Sequence, residues 1–135
     1  KETPLHGGRK RIDIIFRNAA KDGFFQELTM HNPSNYVPVE CKNYAEDRDI
    51  ANPEFDQMLG RLAPNRGVFG IITCRTVINP ALLLERAQDA YRDDRKIIVY
   101  LTDKDLITIL RAIQEGTEHP EYEILQRKVD EIIIA

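Results

Sequence analysis

The chain has no long apolar run. None of its hydrophobic stretches approaches the roughly 20 residues of a membrane-spanning helix, and no segment reads as a signal peptide. Cysteine is scarce. Cys41 and Cys74 are the two present, both in stretches that read as buried strands, and reduced thiols of a cytoplasmic protein fit them better than a structural disulfide. A large excess of one charge is also missing. The formal net charge is -3, so the molecule as a whole is not a non-specific polyanion binder, and any nucleic-acid contact must use a local basic face. No internal repeat and no low-complexity tract is visible. What remains is 135 residues, 42% hydrophobic and 30% charged, ordinary for one globular domain with its own core. The chain opens at Lys1 and reads as a strand by Ile12, so it is expected to be a domain cut from a longer protein.

Residues 1–8 read as a loop, with His6 a solvated loop residue. In the first strand Ile12, Ile14 and Phe16 alternate with Arg11 and Asp13, and Ile15 suggests that part of the second face is covered as well. Asn18–Tyr36 is poorly legible: Phe24–Met30 fits a short helix or a strand, between turns at Ala19–Gly23 and Asn32–Asn35. A strand follows over Tyr36–Lys42, with Pro38 expected near its start or on an edge. Tyr44–Asn52 is a polar, acidic loop. Asn52-Pro53-Glu54 opens a helix carrying Phe55, Met58, Leu59 and Leu62, with Gln57 and Arg61 one turn apart on its polar side.

Val68–Cys74 is a near-continuous apolar run, as in a strand covered on both faces. Asn79-Pro80 starts a helix to about Asp93, and Lys96–Leu101 is another buried strand. Thr102-Asp103-Lys104-Asp105 resembles a capping box opening a helix with Leu106, Ile109, Leu110 and Ile113 on one side, expected to be a core stripe. A last helix from Pro120 should bury Leu125, Val129, Ile132 and Ile133. Three strands linked by helices imply a parallel portion of the sheet, with the first strand antiparallel at one side and helices on both faces.

The chemistry is carried by Val37-Pro38-Val39-Glu40-Cys41-Lys42-Asn43-Tyr44. Side chains two apart share a strand face, so Val37, Val39 and Cys41 face one way and Pro38, Glu40 and Lys42 the other. A hard oxygen ligand and a point positive charge thus stand roughly 6–7 Å apart along the strand. That is half of a metal-dependent phosphodiester site, and Asp13 would be the other half. Asp is depleted in strands and costly to bury unless paired or bound to metal. The residues alone leave plainer readings open. Asp13 could pair with Arg11 or Lys42, and Glu40 with Lys42 as a surface ion pair. Gln57 and Arg61 could lie on a solvated helix face, and Arg9, Lys10 and Arg11 in a solvated run before the strand.

Asp13, followed 27 residues later by Glu40-Cys41-Lys42, resembles the PD-(D/E)xK nuclease signature. Val39-Glu40-Cys41-Lys42-Asn43-Tyr44 is similar to the active-site strand of the Mrr-like restriction endonuclease branch. Gln57-Met58-Leu59-Gly60-Arg61 is similar to the Gln-x-x-x-Arg or Gln-x-x-x-Tyr helix that follows it there. The Glu-x-Lys triplet alone is a weak signal; Asp13, the strand context and the Gln helix in order make it more specific. The resemblance implies a restriction-endonuclease-like, three-layer αβα fold of the α/β class with a central mixed sheet. It implies catalytic residues Asp13, Glu40 and Lys42, with Gln57 as auxiliary, and Mg²⁺ (or Mn²⁺) on Asp13 and Glu40. Arg9, Lys10, Arg11 and Arg61 would contact backbone phosphates. The expected activity is metal-dependent hydrolysis of DNA by a cleavage module of a restriction or defence protein, acting as a homodimer or within a larger multidomain protein. An inactive nucleic-acid-binding or assembly module is the alternative, and a nuclease of RNA or branched DNA a third reading. The chain departs from the family in three respects. Upstream of Asp13 the only acid is Glu2, where a helix often supplies a glutamate; the hairpin expected between Asp13 and Glu40 is not evident; and no obvious target-recognition element is present.

Overall fold

The computed structural model describes residues 12–42 and 52–134, without the side chains of residues 12, 13, 52 and 53. The element order is β1 (Ile12–Arg17), α1 (Gly23–His31), β2 (Tyr36–Lys42), α2 (Asn52–Arg61), β3 (Phe69–Cys74), α3 (Pro80–Asp94), β4 (Ile97–Thr102), α4 (Asp103–Gln114) and α5 (Tyr122–Ile133). The sheet order is β1-β2-β3-β4. β1 pairs antiparallel with β2, and β2, β3 and β4 are parallel. The mixed α/β sheet expected from the sequence is therefore present. Among the described residues no helix is long and apolar enough to cross a membrane.

Strand alternation divides the core in two. On one face Val37, Val39, Phe69, Ile71, Ile97, Val99 and Leu101 pack with Phe24 and Leu28 of α1 and with Leu125, Val129 and Ile132 of α5. On the other, Ile72, Cys74, Ile98 and Tyr100 pack with Phe55 and Met58 of α2, with Leu62 just after it, and with Leu83 and Ala90 of α3. β3 and β4 are thus buried on both faces, which is why their sequences are apolar almost throughout. Pro38 sits ahead of the β2–β3 ladder, which begins at Val39, so its missing N–H costs that ladder nothing. Cys41 and Cys74 are free thiols. Cys74 lies in register with Lys42, so strand alternation puts Cys41 on the opposite face, which rules out pairing of the two.

The segment between β1 and β2 holds α1, a helix in place of the expected hairpin, although the two strands do pair antiparallel. Its signals are weak: Asp22 makes no side-chain cap, and the helix is held by packing. Phe24 meets Phe25, Phe69 and Tyr122 ring to ring at 5.0–6.5 Å between centroids, a favourable aromatic geometry. The later helices follow their local signals. Asn79 Oδ1 accepts from the Leu82 backbone N–H at 3.2 Å ahead of Pro80. Thr102 and Asp105 exchange side chain-to-backbone bonds at 3.0 and 3.3 Å, a complete capping box.

Three packing expectations are corrected. No residue of α4 is buried; Leu106 and Ile109 are partly covered, whereas Leu110 is 60% and Ile113 54% exposed. Periodicity establishes that these residues share a side, not that another element lies over it. Ile133 is exposed, while Leu125, Val129 and Ile132 are buried as expected. Ile15 is 65% exposed, so the second face of β1 is open there. β1 is an edge strand among the described residues, and Ile14 and Phe16 on its other face are exposed as well.

Candidate active site

Glu40 and Lys42 stand near the C-terminal end of β2, where it runs beside β3. In open α/β sheets ligands gather outside the carboxyl ends of the parallel strands. Glu40 is opposite Ile72, and Lys42 opposite Cys74; both therefore lie on the sheet face covered by α2. The carboxylate of Glu40 is wholly buried, and Lys42 is 9% exposed. They form a buried ion pair, Lys42 Nζ to Glu40 Oε2 at 3.4 Å, rather than a pair on a half-exposed strand surface.

Asp13 is the cross-strand partner of Glu40 in the β1–β2 ladder. Directly opposite residues of an antiparallel pair share a face, with Cβ atoms about 4.5–5.5 Å apart. The register thus brings positions 13, 40 and 42 to one face and one end of the sheet, as the motif requires. The Asp13 side chain lies outside the described residues, as do Arg9, Lys10 and Arg11 and the acidic loop expected after Tyr44.

Helix α2 supplies the rest. Phe55 and Met58 form its buried stripe, continued by Leu62 just past its end, and these contacts fix its rotation over the sheet. Glu54, Gln57 and Arg61 then follow one another at i, i+3 and i+7 along one flank of that stripe. Gly70 of β3 keeps the approach close, because a Cβ there would stand 2.5 Å from Met58 Sδ. At the helix C-terminus other cations take the terminal carbonyls. Arg66 Nε donates to Arg61 O at 2.9 Å and Lys96 Nζ to Leu59 O at 3.0 Å. The Arg61 side chain goes to the sheet instead, with Nη2 3.4 Å from Glu40 Oε1. Arg61, expected to face phosphates, is therefore joined to the same carboxylate as Lys42. Gln57 is partly buried one turn earlier on α2.

Glu54, a first-turn acid of α2, is 5% exposed, and its spacing from Gln57 and Arg61 is the sequence signal for its place on their flank of the helix. Among the described residues no group of three or more His, Cys, Asp or Glu is placed to hold a metal ion. A divalent ion on Glu40 would find a hard, buried carboxylate and, at position 13, a second acidic residue that the register puts opposite it, but both Glu40 oxygens are already taken by Lys42 and Arg61.

A cavity of about 530 Å³ opens elsewhere, against β4, α3 and α5, lined by Leu83, Ala87, Val99 and Ile132 among others. Neither Glu40 nor Lys42 reaches it. Comparison with family models, with curated proteins and with solved structures returned no match for this chain.

Proposed function

We propose that this domain is a divalent-metal-dependent endonuclease acting on DNA, of the restriction-endonuclease-like αβα type. The observation that carries the reading is the register. Asp13 lies opposite Glu40, and Lys42 follows on the same face at the C-terminal end of a parallel strand. Burial strengthens it, since a strand has little structural use for a fully buried carboxylate and ammonium two residues apart.

Asp13 and Glu40 would hold Mg²⁺ or Mn²⁺. Such an ion supplies positive charge to a phosphoryl oxygen and makes a bound water acidic enough to act as a nucleophile. The chain's own residues do the rest. Lys42, fixed on its strand beside Glu40, donates to the oxygen on which charge develops at phosphorus and orients the attacking water. Gln57, on the adjacent flank of α2, holds that water or the neighbouring phosphate by its amide. Arg9, Lys10 and Arg11 bind backbone phosphates, which positions the duplex without reading its sequence.

The test is incubation of the purified chain with supercoiled plasmid and Mg²⁺ or Mn²⁺. Nicking is expected, and Lys42→Ala should lower its rate roughly 100- to 1,000-fold, the effect of losing one charge-stabilising donor. Glu40→Ala should remove it. Absence of nicking by the parent chain, or its survival in both variants, overturns the assignment. Salt-sensitive DNA binding without cleavage would then leave the binding-module alternative.

A further inference from the structure

We infer that Arg61 is a built-in counter-cation for Glu40, occupying the carboxylate until a divalent ion displaces it. The inference rests on the reading that Glu40 is a metal ligand. A carboxylate with no solvent exposure needs opposite charge close by. Glu40 has it on both oxygens: Lys42 Nζ 3.4 Å from Oε2 and Arg61 Nη2 3.4 Å from Oε1. Both oxygens of the carboxylate thus already face a cation, and a divalent ion approaching Glu40 would meet like charge in a poorly solvated space where repulsion is strong. One cation must give way.

The two are not equally able to do so. Lys42 is 8% exposed at its side chain and is anchored on the same strand as Glu40, whereas the Arg61 side chain is 29% exposed and extends from the last turn of α2. A guanidinium does not shed its proton at any ordinary pH, so Arg61 can yield only by moving. Its helix does not depend on it, because Arg66 and Lys96 already take the terminal carbonyls of α2. The chain thus keeps the buried carboxylate of Glu40 paired in the absence of metal, at the cost of competing with the metal.

The test is Mn²⁺ binding by the whole chain, read by calorimetry or by loss of the free-ion paramagnetic resonance signal, together with thermal unfolding with and without Mn²⁺. Arg61→Ala and Arg61→Gln are each compared with the parent chain and with Glu40→Gln. Both Arg61 variants should bind Mn²⁺ about tenfold more tightly, the size of an ordinary coupling between two ligands of one site. They should unfold at a lower temperature in EDTA and gain more from Mn²⁺ than the parent does. A solely structural role for Arg61 would lower the unfolding temperature equally in both conditions and leave the affinity unchanged, and that result overturns the inference while sparing the metal site. Should neither the parent nor the Arg61 variants bind Mn²⁺, or should Glu40→Gln bind as the parent does, the metal reading itself falls and this inference with it.

Discussion

At Gly67 the backbone has φ +151°, and an added Cβ would run into the carbonyl oxygen of Tyr36. That approach is part of the turn after α2, where Gly67 N–H donates to Ala63 O at 2.7 Å and Tyr36 N–H to Arg66 O at 2.8 Å. Gly60 lies within α2, where an added Cβ meets nothing within 4 Å. The same substitution should therefore have opposite signs at the two positions. Gly67→Ala is expected to destabilise by roughly 1–3 kcal/mol, because neither the backbone angle nor the neighbouring carbonyl can accommodate the methyl. Gly60→Ala should stabilise by about 0.5–1 kcal/mol through a lower unfolded-state entropy and better helix propensity. Urea unfolding of both variants gives the two signs, and equal effects would show that the turn is more pliable than its geometry implies. Legibility in the sequence divides by residue in the same way. The position of Asp13 opposite Glu40 needed the β1–β2 register, whereas Glu40 and Lys42 could be placed on one face from strand alternation alone. The contact of Arg61 with Glu40 could not, because it depends on how far along the sheet α2 sits, and Met58 against Gly70 sets that by contact rather than by pattern.

Among the elements, α4 and α5 have similar apolar periodicity and different surroundings. α5 buries Leu125 at 2% and Val129 at 4% exposure, whereas Leu110 on α4 is 60% exposed. α4 is secured at its N-terminus by the Thr102–Asp105 capping box and leans on the core through Leu106. Truncating Leu125 to Ala is expected to cost about 2–5 kcal/mol, as for other buried leucines, and truncating Leu110 no more than about 0.5 kcal/mol, as for surface sites. Thermal unfolding of the two variants measures the contrast; comparable losses would mean that the outer side of α4 is covered in solution. Strands β3 and β4 were legible because burial on both faces leaves them little but apolar residues. α1 was not, because nine residues without a side-chain cap carry few local signals. Phe24 and Leu28 become helical positions chiefly by burial against Phe69, Tyr122 and the rest of their cluster, and such contacts between distant parts of the chain are invisible to a local reading.

For the whole molecule, the described residues hold one candidate site: Glu40 and Lys42 at one end of one strand of the sheet. Under the nuclease proposal a single such site would cut one strand of a duplex at each engagement, so cutting both strands in one encounter would need two copies. With a net charge of -3, any DNA bound under the nuclease proposal would have to be held by a local basic surface rather than by the molecule's overall field, and a second copy would double the phosphate contacts without any new residue. If the nuclease proposal holds, the products should change with protein concentration. At low concentration supercoiled plasmid should pass through an accumulating nicked circle. At high concentration linear product should form with little nicked circle, at a rate rising more steeply than the first power of concentration. Gel analysis of plasmid forms across a dilution series makes the measurement. A rate of linearisation that stays first-order in protein, with an unchanged ratio of nicked to linear product, would show that paired copies are not needed and that a single chain meets the two strands in turn.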